Sequence, residues 1–239
     1  MKTIIIGDIH GRPYWRQIID IEQPDKVVFL GDFVTTHENY TAEQQLVELR
    51  AILDYAEDHN CIIIRGNHDT QALGYYWARC HPVVTGNIRE YFGSPKNRDR
   101  FLKLSQWCHV LEVNDKKYIC SHAGISKKWL SEILKLDLFN EATINAMEPS
   151  EKFGFTGDRW DNYGTSSTQS CTWIRPQTLA NYAVEGYSQI VGHTGTGQGC
   201  VKVELDGIDL WLCDALQQGG YLVIENDNFI PKQLKLTTE

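Results

Sequence analysis

Three things are scarce in this chain of 239 residues, and each scarcity removes a class of function. Its seven cysteines (Cys61, Cys80, Cys108, Cys120, Cys171, Cys200 and Cys213) are scattered and include no CxxC pair. Thiolate metal clusters and dithiol redox motifs need such close pairs, so the expectation is reduced, buried thiols in a cytoplasmic protein. No apolar run approaches the length needed to cross a bilayer. The opening MKTIIIGDIHGR carries too short an apolar stretch for a signal segment, so it reads as a first core strand. Basic residues are short as well. Lys and Arg number 23 against 31 Asp and Glu, a net charge of -8, and no basic run occurs. That balance argues against holding a long nucleic acid by general attraction. Phosphate recognition here has to be local, made by a few cations in a negative background. Neither an internal repeat nor a low-complexity linker is present.

What is there is the composition of an ordinary globular chain, 42% hydrophobic and 23% charged. Thr3–Ile6, Val27–Leu30 and Cys61–Ile64 are short continuous apolar runs, the pattern of strands covered on both faces. Between them, residues after Pro13 and residues after a Thr41/Gln44 capping box show helical spacing. Strand, helix, strand, helix, strand implies a parallel sheet with crossover helices. Beyond residue 105 the texture changes. Residues 109–113 and 117–121 suggest a hairpin around Asn114-Asp115, and 189–191, 201–205, 210–213 and 221–225 suggest short strands. Helices are expected over 97–107 and 126–148. A long loop is expected over 153–170, with Phe153, Phe155, Trp160 and Tyr163 as candidates for stacking a base or forming a lid. The fold expectation is a four-layer α-β-β-α sandwich in one domain, 1–239.

Each of the first three strands ends in metal-type ligands: Gly7-Asp8-Ile9-His10-Gly11, Gly31-Asp32, and Gly66-Asn67-His68-Asp69. Loops at the carboxyl ends of parallel strands converge on one crevice, so the three clusters should meet. Two later strand ends add imidazoles, at Ser121-His122-Ala123-Gly124 and Gly192-His193-Thr194-Gly195. A set of carboxylates, an amide oxygen and imidazoles, without thiolates, suits Mn, Fe, Zn or Ni and disfavours a structural zinc site. A carboxylate shared by two ions makes a hydrolytic site. Any one of these residues alone is more often a turn or a satisfied core group; the ordered set is what carries weight.

In this order and spacing GDIHG, GDF, GNHD, SHAG and GHT resemble the calcineurin-like metallophosphoesterases, and within them the serine/threonine phosphatase-like branch of bacterial and phage type. Cys213-Asp214 followed by Gly219-Gly220 is similar to that branch's closing segment. The resemblance implies two divalent ions, Mn first among them. Asp8 and His10 would bind one, Asp32 would bridge, and Asn67, His122 and His193 would complete the second site. It implies His68 as general acid, protonating the leaving alkoxide while a metal-bridging hydroxide attacks. A histidine suits that role because its pKa lies near working pH. Asn67 would also face substrate, with Arg12 and Arg175 as phosphate-binding arginines, the latter through similarity of Trp173-Ile-Arg175 to a family segment. Gly195 stands where many relatives carry a further histidine ligand, which again points to the phosphatase-like branch.

One departure bears on substrate. The branch carries Asp and Arg where this chain has Thr35 and Thr36, removing the Asp that orients the catalytic histidine and a phosphate-binding Arg. Asp69, Arg12 or Arg175 are the candidates to compensate, and Asp69 is therefore grouped with His68 as catalytic. The substrate is expected to be a phosphomonoester, a small metabolite or a phosphoprotein. A nucleotide phosphodiester or a diadenosine polyphosphate is the alternative, and a non-catalytic scaffold the remote one. Arg65 reads equally as a structural ion pair, Arg159 as a solvated side chain and His37 as a surface residue. His59, His81 and His109 receive no function.

Overall fold

A computed structural model describes residues 1–36, 38–75, 85–155, 163–205 and 207–236. Two mixed sheets pack face to face between helices, the four-layer α-β-β-α arrangement expected. The first sheet runs in the order β11-β10-β1-β2-β3-β4. Its centre is the parallel set β1 (Lys2–Ile6), β2 (Lys26–Phe29) and β3 (Cys61–Ile64), extended by the two-residue β4 (Ser105–Gln106). On the other side β10 (Gly220–Glu225) pairs antiparallel with β1, and β11 (Asn228–Gln233) with β10. The second sheet runs β5-β6-β7-β9-β8. Here β6 (Lys116–Ser121), β7 (Tyr187–Val191) and β9 (Ile208–Leu212) are parallel, with β5 (Cys108–Val113) and β8 (Val201–Leu205) as antiparallel edges.

The apolar runs decide this layering. Along β1 and β2, alternate residues face opposite ways. Ile5, Val28, Leu30 and Ile64 turn toward the second sheet and pack with Tyr118, Cys120, Ile190 and Trp211. Ile4, Ile6, Val27 and Phe29 turn outward, under α1 (Tyr14–Glu22) and α2 (Ala42–Asp58), which contribute Trp15, Ile18, Leu46, Leu49 and Leu53. The predicted capping box starts α2, with Thr41 Oγ1 accepting from Gln44 N–H and Gln44 Oε1 from Thr41 N–H. A third cluster, around Trp107, Ile119, Trp129, Leu130 and Ile144, covers the outer face of the second sheet. No helix among the described residues is long and apolar enough to cross a membrane.

Some expectations change. Residues 126–148 are not one helix: a π-helical turn, Trp129–Leu134, ends at Lys135 with φ 60°, and Asn140 caps a new helix, α6 (Glu141–Asn145), by accepting from Thr143 N–H. The helix expected over 97–107 is the last of three further helices, α3 (Asn67–Ala72), α4 (Gly86–Gly93) and α5 (Pro95–Leu104); it starts at Pro95 and gives way to β4. Helix α7 (Pro176–Tyr182) adds to the expected elements. Phe153 stacks on Trp107 at 3.9 Å between ring centres and is fully buried, so it packs the core and presents no face to a base. Tyr163 is 76% exposed. His37, Cys80, His81, Arg159 and Trp160 lie outside the described residues.

Candidate metal centre and active site

Six of the parallel strands, β1, β2, β3, β6, β7 and β9, deliver their carboxyl ends to one edge of the sandwich. Each is followed within a few residues by a polar side chain: Asp8, Asp32, Asn67 with His68, His122, His193 and Asp214. The approach is close enough to require glycine at two of these turns. A Cβ on Gly66 would lie 2.0 Å from Asp32 Oδ1, and one on Gly192 would lie 2.3 Å from Asp8 Oδ1. His10, Asp32, Thr35 and His193 all hold positive φ, between 48° and 63°. Backbone in that region is strained for residues with a Cβ, Thr above all, and is retained where surrounding contacts over-determine it.

Asp32 sits at the centre. Its Oδ2 lies 3.3 Å from His122 Nε2, 3.9 Å from His68 Nε2 and 4.0 Å from His10 Nε2. Two groups of candidate ligands share it, His10-Asp32-His68 and Asp32-His122-His193. Asp8 Oδ2 is 3.9 Å from His10 Nε2, while its Oδ1 accepts from His193 N–H at 2.9 Å. Asn67 Oδ1 faces His122 Nε2 at 2.7 Å and His193 Nδ1 at 3.2 Å.

The protons on these rings test whether the site suits a cation. His122 Nδ1 donates to the Leu30 carbonyl at 2.8 Å, and His10 Nδ1 donates to the Thr35 carbonyl at 2.5 Å. Neutral rings so fixed aim the Nε2 lone pairs at carboxylate and amide oxygens. Acceptors then face acceptors in a buried site, which only a proton or a cation relieves. Burial works against charge on His122, yet Asp32 and Asp8 raise its pKa to about 10. His10 is lowered to about 4 by burial. Burial alone would raise Asp32, but His122, His68 and His10 hold it below its ordinary value. Asp8 is raised, by burial and then by Asp214. His193 Nε2 is buried with no hydrogen-bond partner among the described residues. Hard oxygen and borderline nitrogen donors converging in this way fit divalent transition-metal ions.

His68 is held differently from the expectation. Thr35 Oγ1 donates to the Val34 carbonyl at 2.6 Å and accepts from His68 Nδ1–H, so a hydroxyl orients this ring. Asp69 does not take that place. Its fully buried carboxylate accepts from the backbone N–H groups of Asp32, Phe33 and Gly66 at 2.8–2.9 Å. It thereby clamps two ligand loops together, and burial with the nearby Asp32 charge raises its pKa to about 7. Thr35 N–H in turn donates to Gln45 Oε1 at 2.6 Å, which ties the hydroxyl to α2.

Both predicted phosphate arginines lie near the centre and both are engaged. Arg12 is buried; its Nε donates to Glu38 Oε1 at 2.9 Å, its Nη2 meets the same oxygen, and its Nη1 donates to the Asp8 carbonyl at 2.9 Å. Arg175 donates to the Tyr163 carbonyl at 2.8 Å and to Thr194 Oγ1 at 3.1 Å. Arg65 is structural, bonded to Ser105 and Leu102 and lying over the Trp107 ring. Above His10 and His68 opens a cavity of about 400 Å³ walled by Arg12, Glu38, Asp214 and the glutamines 217 and 218. Glu38 carried no motif, and nothing in its sequence neighbourhood marks it. Trp173, from the same segment as Arg175, is in edge contact with His193 at 5.3 Å.

Fold and site together define a metal-dependent phosphoesterase. The calcineurin-like phosphoesterase family model matches residues 1–213, and the chain belongs to that family. A search of curated proteins finds no match. Solved structures with a similar fold include a cold-active protein-tyrosine phosphatase from a psychrophilic Shewanella, at TM-score 0.61 and 17% identity, covering 97% of this chain and 77% of that one. A protein serine/threonine phosphatase from Saccharomyces cerevisiae aligns at TM-score 0.57 and 16% identity, over 100% of this chain and 81% of that one. Identities this low speak for the fold alone.

Proposed function

We propose that the chain, as one catalytic unit, hydrolyses phosphate esters at a two-metal centre bridged by Asp32. The observation carrying this reading is the position of Asp32 Oδ2 between two histidine groups, within 4.0 Å of three imidazole nitrogens. Asp8 and His10 would hold one ion, and Asn67, His122 and His193 the other. Mn is the first candidate, with Fe, Zn and Ni compatible with the same donors. Such ions would supply an activated water as nucleophile and neutralise phosphoryl oxygens.

The chain's own residues do the rest. Asp69 fixes the distance between the loops of Asp32 and Asn67. Thr35 holds His68 with Nδ1 protonated and Nε2 toward Asp32, so that a proton on Nε2 can pass to the departing alkoxide. Substrate enters through the cavity above His10 and His68. The residues correspond best to the serine/threonine phosphatase-like branch, and the free cysteines among the described residues, all buried except the half-buried Cys61, suit a reducing, cytoplasmic setting. A phosphomonoester, on a small metabolite or a phosphoprotein, is one substrate class compatible with the site. The engaged state of both arginines favours a second one, a nucleotide phosphodiester or a diadenosine polyphosphate, because a monoester dianion gains most from an uncommitted guanidinium.

The test is turnover of p-nitrophenyl phosphate and bis-p-nitrophenyl phosphate with Mn²⁺, alongside His68→Ala and a chelated control. Metal-dependent turnover of either ester that drops in the variant is expected. No turnover of either ester by protein with Mn²⁺ demonstrably bound overturns the reading.

A further inference from the structure

The cavity over the metal centre is walled by three charged side chains besides its histidines: Arg12, Glu38 and Asp214. Two are negative and one is positive, and the positive one is already matched. Glu38 Oε1 takes both Nε and Nη2 of Arg12, and the third contact, Nη1 to the Asp8 carbonyl, ties the guanidinium to a metal-ligand loop. The Arg12 side chain is 6% exposed and that of Glu38 26%, so water screens this pair little on the arginine side. The contact is built in: Glu38 N–H donates to Thr36 Oγ1 at 3.0 Å, turning the loop after Thr35 back toward Arg12.

A phosphate monoester is largely a dianion near neutral pH, whereas a diester carries one charge. An uncompensated arginine beside the metals would favour the dianion, as guanidinium groups do at phosphate sites. Paired with Glu38, Arg12 contributes no net charge to the wall, and the carboxylate itself opposes a second phosphoryl charge. We infer that Glu38 is the specificity-determining residue of this centre, neutralising Arg12 so that singly charged phosphoryl groups are accepted in preference to monoester dianions. The inference rests on the phosphoesterase reading of the site and names its substrate class.

The test uses the full chain loaded with Mn²⁺, comparing wild type, E38Q and the double variant R12Q/E38Q. Gln at position 38 keeps an acceptor for Arg12 and removes only the charge. Two quantities are read: the ratio of kcat/KM for p-nitrophenyl phosphate to that for bis-p-nitrophenyl phosphate, and the Kd of inorganic phosphate by calorimetry. In E38Q the ratio rises, and the phosphate Kd falls, each by about tenfold or more, as removal of a unit charge at this range implies. In the uncharged pair R12Q/E38Q both return toward wild type. Glu38→Ala, with the same expectation, serves if E38Q does not fold. Unchanged ratio and unchanged phosphate affinity in the folded single variant overturn the inference and leave Glu38 a loop clip. If neither ester turns over, the phosphoesterase reading fails, and the phosphate titration alone decides the role of Glu38.

Discussion

Two buried carboxylates, Glu22 and Asp32, occupy the same sheet-and-helix half of the molecule and are treated in opposite ways. Glu22, on α1, accepts from Tyr221 Oη at 2.8 Å and from Lys232 Nζ at 2.8 Å, with Lys2 Nζ at 3.4 Å. Its surroundings are permanent donors and cations, and its charge is satisfied within the chain. The ion-pair partners of Asp32 among the described residues are all histidines, which are cationic only when protonated. Neighbouring Asp8 and Asp214 are acidic and shifted upward, both chiefly by burial. A carboxylate whose compensation is complete holds a fold together. One whose compensation is conditional on a proton or an ion is placed for binding and chemistry.

The comparison is broken most severely at Asp32 itself. In Asp32→Asn the shared ligand loses its charge, and activity should fall on the order of a thousandfold, several kcal/mol of transition-state stabilisation. Thermal melts should show Mn²⁺ raising the midpoint of the wild type, as any ligand of the native state does, and doing little for the variant. A variant that still gains as much from Mn²⁺ would mean that Asp32 is not the shared ligand.

Next in size is His68→Ala. A general acid contributes about 10²–10⁴-fold where the leaving group needs a proton. An alkyl phosphate should therefore suffer far more than p-nitrophenyl phosphate, whose weakly basic leaving group needs the proton less. Equal losses on both esters would argue that His68 serves as a metal ligand beside His10, a position its ring nitrogen also permits. Thr35→Ala probes the same ring one step away. Loss of the hydroxyl removes the contact Thr35 makes with His68 Nδ1, and kcat should drop about tenfold to a hundredfold, the range for residues that orient a site group through a hydrogen bond. KM should stay near its starting value, since Thr35 reaches the site through His68 and His10. A change confined to KM would place Thr35 in substrate binding instead.

Thr35 also shows where the sequence could be read and where it could not. Continuous β-branched runs announce buried parallel strands, and glycine next to Asp, Asn or His at their ends announces a crowded turn, so Asp8, Asp32, Asn67 and His68 could be placed at one edge from periodicity and connection rules, while His122 and His193 joined them only through the family resemblance. Substitution of Thr for Asp at 35 looked like the loss of a partner for His68, because a residue type does not reveal backbone shape. With φ at 62°, Thr35 turns both its hydroxyl and its carbonyl onto the two histidines. The pull of Asp69 onto backbone N–H groups and the folding back of Glu38 onto Arg12 are likewise products of loop geometry, which has no period to read. The broken helix over 126–148 has the same origin, since Asn140 is an unremarkable polar residue until its side chain caps a new start.

The smallest effect expected, and the sharpest control, is at Glu22. Its Tyr221 and Lys232 partners outweigh the cost of burial and lower its pKa from the ordinary glutamate value of 4.5. A group whose pKa is depressed on folding stabilises the native state above its unfolded pKa and loses that contribution as pH falls through the folded one. Glu22→Gln should then lower the midpoint at pH 7 by about 5 °C, roughly 2 kcal/mol of charge-assisted hydrogen bonding in a chain of this size. Activity per folded molecule and the response to Mn²⁺ should be those of the wild type. Melts repeated at decreasing pH should bring the two proteins together once Glu22 is protonated in both states, because the variant then lacks nothing the wild type retains. A gap that persists into acid would trace the loss to the packing of α1 against β10 and β11 rather than to charge, and the contrast with Asp32 would then rest on the metal response alone.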